Sequence, residues 1–172
     1  MKIIKYILHT ILALVVLVLV LGLFVPKTFH AGSQTVINRP IEEVFDYVKI
    51  LDNQKNYDAW TRKDQNIKQF YEGNPGTVGS QYRWESDKVG NGKQIITAIE
   101  PYNKIEIDIY FYNDNKPNKT IFEFQEIHSN QTQVKWYIDG EMPYPLNVMG
   151  LFFNMDDDFV SGLENLKNVL EN

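Results

Sequence analysis

Twenty consecutive residues, Tyr6 to Val25, carry no fixed charge. In a helix they would cover roughly 30 Å, the thickness of a bilayer's hydrocarbon layer. Residues 1–26 are therefore expected to form an N-terminal transmembrane anchor, 27–33 a linker and 34–172 a separate domain. A cleaved signal peptide is the rival reading. Such peptides have apolar regions of only about 7–15 residues, and the one A-x-A-like triplet here, Ala31-Gly32-Ser33, lies beyond the run.

After the linker the pattern changes twice. Gln34 to Asn38 reads as a first strand. In RPIEEVFDYVK a proline stands in a first helical turn with acids following it, and Ile41, Val44, Phe45 and Val48 have the spacing of one helical face. Leu51 to Trp60 has helix-compatible pieces, and the turn-rich EGNPGTVGS follows. From Gln81 to Asp139 the period becomes two, giving candidate strands QYRWES, KQIITAIE, NKIEIDIYFY, KTIFEFQEI and TQVKWYID. They are separated by turn signals at Gly90-Asn91-Gly92, Pro101, Asn113 to Pro117 and Ser129-Asn130. Close spacing predicts an antiparallel meander.

Alternation sorts the faces. Ile105, Ile107, Ile109 and Phe111 oppose Glu106, Asp108, Tyr110 and Tyr112; Phe122 and Phe124 oppose Glu123 and Gln125; Val134, Trp136 and Ile138 oppose Lys135, Tyr137 and Asp139. One face of the sheet needs a cover. After Pro143 and Pro145, the residues Val148, Phe152, Met155, Phe159, Leu163, Leu166 and Leu170 recur at steps of three and four, the stripe of one long amphipathic helix. Gly162 beside that stripe permits close approach of another element. The fold class is α+β.

Charge narrows the partners. Lys2 and Lys5 precede the apolar span and Lys27 follows it, which favours a cytoplasmic N-terminus and a periplasmic or extracellular C-terminal domain. Beyond the first thirty residues the chain has 14 basic and 22 acidic side chains, a net charge of −8. That balance opposes nucleic acid and anionic lipid as partners. The chain has no cysteine, so disulfides and thiolate ligands are excluded.

Catalytic and metal signals are weak. Asp156, Asp157 and Asp158 are consecutive, about 100° apart on a helix, and fan outward instead of sharing an ion; they read as a solvated face opposite Met155 and Phe159. Gly73, Gly76 and Gly79 lack the Lys-Ser/Thr pair of a phosphate loop and read as a turn. His9, His30 and His128 lie in separate segments, so no metal site, catalytic set or cofactor is expected.

The text VINRPIEEVFDYV, Trp60, GTVGSQYRW followed by GNGKQIITAIEP, TQVKW with Gly140, and GLENLK together resembles the START-like or Bet v 1-like superfamily. The likeness is to its bacterial SRPBCC, polyketide cyclase/dehydrase-like branch. The resemblance spans about residues 34 to 170. It implies a helix-grip fold: a seven-stranded curved antiparallel sheet around a long C-terminal helix, with a cavity between them. It further implies binding of a hydrophobic or amphipathic small molecule, such as a lipid or polyketide-like compound, and carries over no shared catalytic set.

Candidate wall residues are Trp60, Tyr82, Trp84, Phe122, Trp136, Phe152, Met155 and Phe159. Apolar walls with few polar handles suit an amphipathic ligand. Two alternatives stand beside this container reading. One is an acid–base enzyme using an inward Glu85, Asp108, Asp139 or Tyr110. The other is a protein-interaction or stress-response module whose interior is filled by its own side chains.

Overall fold

The computed structural model describes residues 2–111, 116–152 and 154–172. The chain divides into two compact units, one within residues 1–29 and 140–154, the other within 30–139 and 155–172.

In the first unit, α1 (Lys2–Gly22) is a helix long and apolar enough to cross a bilayer, and its most apolar stretch is exposed throughout. A helix leaves its last carbonyls without intrahelical partners. Here a buried asparagine from a 3₁₀ turn, Leu146–Leu151, supplies the donors: Asn147 Nδ2 donates to the carbonyl oxygens of Gly22 and Val25, each at 2.8 Å.

The second unit is built on a seven-stranded antiparallel sheet, ordered β1-β7-β6-β5-β4-β3-β2. The strands are β1 (Thr28–Ile37), β2 (Lys68–Glu72), β3 (Gln81–Glu85), β4 (Gly92–Glu100), β5 (Lys104–Phe111), β6 (Asn118–His128) and β7 (Gln131–Glu141). Strands β3 to β7 follow one another as the expected meander, and β2 adds a strand at its edge. Between β1 and β2 the chain forms α2 (Ile41–Val48), a 3₁₀ turn (Leu51–Asn56) and α3 (Ala59–Lys63); α4 (Asp156–Glu171) closes the fold. This is the α+β helix-grip arrangement, a curved sheet against a C-terminal helix.

The alternation sorts the sheet as expected. Ile105, Phe122 and Trp136 form one inward row across three strands, with Ile107, Thr120 and Ile138 as the next, and all six are buried. Val44, Phe45 and Val48 of α2 and Phe159, Leu163, Leu166 and Leu170 of α4 complete the core.

Three local expectations change. Strand β1 begins at Thr28, so residues 28–33, expected as linker, are strand. Strand β2 went unrecognised because an exposed edge strand has little need of apolar alternation: Phe70 lies under the Arg83 guanidinium, 4.0 Å from its ring centre, and Tyr71 stacks on Tyr82. The expected single long helix is two pieces, the 3₁₀ turn and α4. Tyr112 and most of the turn expected at Asn113 to Pro117 lie outside the described residues.

The aspartates explain where α4 starts. They occupy its first turn, where negative charge is favoured by the helix dipole. Asp158 also pairs with Lys63 Nζ at 2.7 Å, and Asp156 accepts from the Gly32 amide at 2.8 Å. No group of acidic and histidine side chains suited to a metal occurs among the described residues.

Gly162 shows why the C-terminal helix fits so closely. A Cβ built there would lie 2.6 Å from Trp136 Cζ3. Glycine to alanine inside a helix ordinarily stabilises by about 1 kcal/mol. Here Gly162→Ala is expected to destabilise instead, by about 1–3 kcal/mol, because the indole, stacked on Phe122, must be displaced. Chemical denaturation would show a fall in midpoint where propensity alone requires a rise.

Candidate functional site

The site begins with how the tryptophans are held. Trp136 faces inward from β7, stacks on Phe122 at 4.8 Å between ring centres, and donates from Nε1 to Thr120 Oγ1 at 3.1 Å. Trp84 on β3 lies opposite Gly92 on β4, and a Cβ at that glycine would fall 2.3 Å from Trp84 Cζ2. The missing side chain lets the indole lie flat across β4. Trp60, from α3, meets Trp136 and Phe159 edge-on at 5.8 and 5.3 Å. Rings held edge-to-face and stacked form a stiff aromatic wall.

Between this wall and the start of α4 is a cavity of about 90 Å³. Trp60, Tyr82, Trp84, Trp136, Met155 and Phe159 all line it. The other two expected wall residues lie elsewhere. Phe122 is fully buried behind Trp136, and Phe152 is 78% exposed in the other unit, ahead of the point where α4 begins.

The cavity also has polar groups that the sequence reading passed over: Gln54, Asp58, Thr61, Gln94 and Thr120. Gln54 sits on the 3₁₀ turn and is 2% exposed, and its Nε2 finds no hydrogen-bond partner within the protein. Gln94 Oε1 on β4 is likewise buried and unpartnered. Leaving such a group unsatisfied costs about 1–3 kcal/mol, a deficit that a bound polar group can relieve. Periodicity could not have found Gln94, because adjacent Ile95 and Ile96 blur the alternation and β4 carries a bulge between Ile96 and Ala98. The legible signal for Asp58 was an acid immediately before a short helical piece, the N-cap position it occupies.

Asp58 is buried, and both of its oxygens accept from Thr61, from the backbone amide and from Oγ1, each at 2.6 Å. Burial pushes its carboxyl above the ordinary carboxylate range, with the Thr61 bonds opposing that shift. Burial, reinforced by the nearby Asp58 charge, also pushes the Tyr82 hydroxyl up to about 12.

A raised carboxyl pKa means the unfolded state ionises first as pH rises, so the native state loses stability through Asp58 from the ordinary aspartate range upward to its folded pKa. Asp58→Asn keeps an N-cap acceptor and removes that loss. The variant is expected to match the native protein near pH 4 and to exceed it at pH 7, measured by urea unfolding at both values.

The four acid–base candidates from sequence do not line the cavity. Glu85 pairs with Arg83, and Asp139 with His30 on the surface. Tyr110 lies beneath Lys93, and Asp108 alternates away from Ile107 and Ile109. Asp58 is the only carboxylate among the described lining residues.

No known protein-family model matches the chain, and no curated protein matches it in sequence. Solved structures do match its fold. The Aha1 dimer from Colwellia psychrerythraea aligns with a TM-score of 0.58 at 17% identity, over 83% of this chain and 96% of that one. Norcoclaurine synthase from Thalictrum flavum, solved with dopamine and hydroxybenzaldehyde, aligns at 0.62 with 8% identity, over 88% and 91%. DynU16, from the dynemicin biosynthetic locus, aligns at 0.56 with 12% identity, over 83% and 47%. At these identities the likeness establishes the helix-grip fold.

Proposed function

We propose that this chain is a membrane-tethered binding protein whose helix-grip domain holds a small, largely apolar molecule with one polar end. The observation that carries this reading is an aromatic-walled cavity whose lining includes Gln54 and Gln94, each with a buried side-chain polar atom that has no hydrogen-bond partner. The solved synthase complex supports it by analogy: a chain of the same fold holds small aromatic molecules.

Size selects within the ligand class. Drug-sized sites usually enclose about 300–1,000 Å³, and a cavity near 150 Å³ accepts benzene. A cavity of about 90 Å³ favours a single ring or a short acyl chain, and a diacyl lipid or multi-ring polyketide requires the walls to part. Membership of the SRPBCC group, α1 as the anchor and placement of the domain on the outer side of the membrane belong to the same proposal. The Asn147 bonds to the end of α1 support its retention.

Acid–base chemistry on the bound molecule is the second reading, and it draws on Asp58 alone: a buried carboxyl with a raised pKa is suited to proton transfer. Binding that survives Asp58→Asn while turnover disappears would establish it.

Native mass spectrometry of the full chain released from detergent tests the proposal. The full chain is needed because a start at residue 34 would remove the first six residues of β1. A stoichiometric small adduct, identified after denaturation, is the expected result. An empty protein that also takes up no single-ring or short-chain compound overturns it in favour of a self-filled interaction module.

A further inference from the structure

The unit containing α1 has a second apolar surface that neither the core nor the cavity uses. Residues 142–154, MPYPLNVMGLFFN, include no charged side chain, and the acidic residues resume at Asp156. Within this segment Leu146, Met149, Leu151 and Phe152 are exposed, as are Leu23 and Phe24 just beyond α1. Single exposed apolar residues are ordinary; a cluster of this kind marks a contact surface.

What covers the cluster follows from what it is attached to. Asn147 holds the carbonyl oxygens of Gly22 and Val25, the Tyr144 hydroxyl donates to the Leu19 carbonyl oxygen at 3.2 Å, and the Met142 amide donates to the Lys27 carbonyl oxygen at 2.7 Å. These bonds fasten the 142–152 segment to the C-terminal end of α1. If α1 spans a bilayer, that end lies where the helix leaves the hydrocarbon, so the segment is held at the same depth. Tyrosine with an apolar body and a bonded hydroxyl is also the side chain favoured at that level.

We infer that Leu146–Phe152, together with Leu23 and Phe24, inserts into the headgroup–acyl boundary of the leaflet from which α1 emerges, forming an interfacial membrane contact beside the transmembrane one. The inference rests on the reading of α1 as a membrane span. Its chemistry is apolar, because the segment has no charge and Lys27 is the only basic residue close in sequence to Leu23 and Phe24. Neutral lipid is therefore sufficient, and anionic lipid adds little.

The absence of native cysteine allows a clean test with single-cysteine variants of the full chain in phosphatidylcholine proteoliposomes. Phe152→Cys and Leu151→Cys report on the segment and Leu12→Cys on the span. Each carries an environment-sensitive fluorophore. The exposed positions tolerate replacement, and two reporters guard against one misbehaving.

The expected result is strong quenching at 151 and 152 by lipids spin-labelled near the headgroup, protection from aqueous iodide, and deep quenching at 12. Deep quenching at 12 with iodide access at 151 and 152 overturns the inference and leaves the anchor intact. Protection of 151 and 152 without lipid quenching also overturns it, and assigns the surface to a protein partner or second copy. Iodide access at 12 as well overturns the anchor reading and this inference with it.

Discussion

Trp136→Ala is expected to destabilise the helix-grip unit by about 3–5 kcal/mol, the range for truncating a large buried aromatic. For a domain of this size that corresponds to a melting temperature lower by about 10–20 °C. The indole is 4% exposed and joins four other rings: it stacks on Phe122 and meets Tyr57, Trp60 and Phe159 edge-on at 5.8, 5.8 and 5.0 Å. It also fills the space left by Gly162. Removing it opens a gap between the sheet and α4 and leaves Thr120 Oγ1 without its donor.

The size of the effect follows from this position at the junction of β7, α3 and α4. Trp136→Phe should restore most of the loss, since a ring remains to stack on Phe122. Thermal and urea unfolding of the full chain in detergent would measure both variants. A Trp136→Ala protein within about 1 kcal/mol of the native one, the range of an unremarkable substitution, would mean that the ring cluster is not what joins helix to sheet.

Met155→Trp is expected to abolish small-molecule binding while leaving stability unchanged or slightly raised. Met155 precedes α4, is half-buried and lines the cavity. Its unbranched side chain adapts to its surroundings, so the larger indole can take up the space of about 90 Å³ that a ligand would otherwise fill. The affinity loss should exceed tenfold, equivalent to about 1.4 kcal/mol. Titration with whichever compound the native protein retains, read by mass spectrometry or calorimetry, checks it. Unchanged affinity in a folded variant would place the ligand outside this cavity. Loss of binding together with unfolding would instead be read against Asp58→Asn, which leaves the cavity volume nearly unaltered.

Local pattern alone determined a good part of this protein. The uncharged run from Tyr6 to Val25 specified a long apolar helix, and alternation in β5, β6 and β7 placed Ile105, Phe122, Trp136 and Ile138 on the inner face. The 3.6-residue period found α2 and the core stripe of α4. These features were legible because an element with one covered face must repeat its apolar residues at its own period.

Tertiary structure decided the rest. Gln54 and Asp58 lie on a six-residue 3₁₀ turn and at the cap of a five-residue helix, too short for any period to show which way they face. Gln94 is turned inward on a bulged strand. The apolar spacing that suggested one helix through Phe152 is overridden by three aspartates that are better placed at a helix start, and Phe152 is left exposed. Gly162 has meaning only with Trp136 against it. Apolar period records that a face is covered, whereas a cavity and its polar atoms depend on how closely separate elements approach, and that distance is a property of the assembled chain.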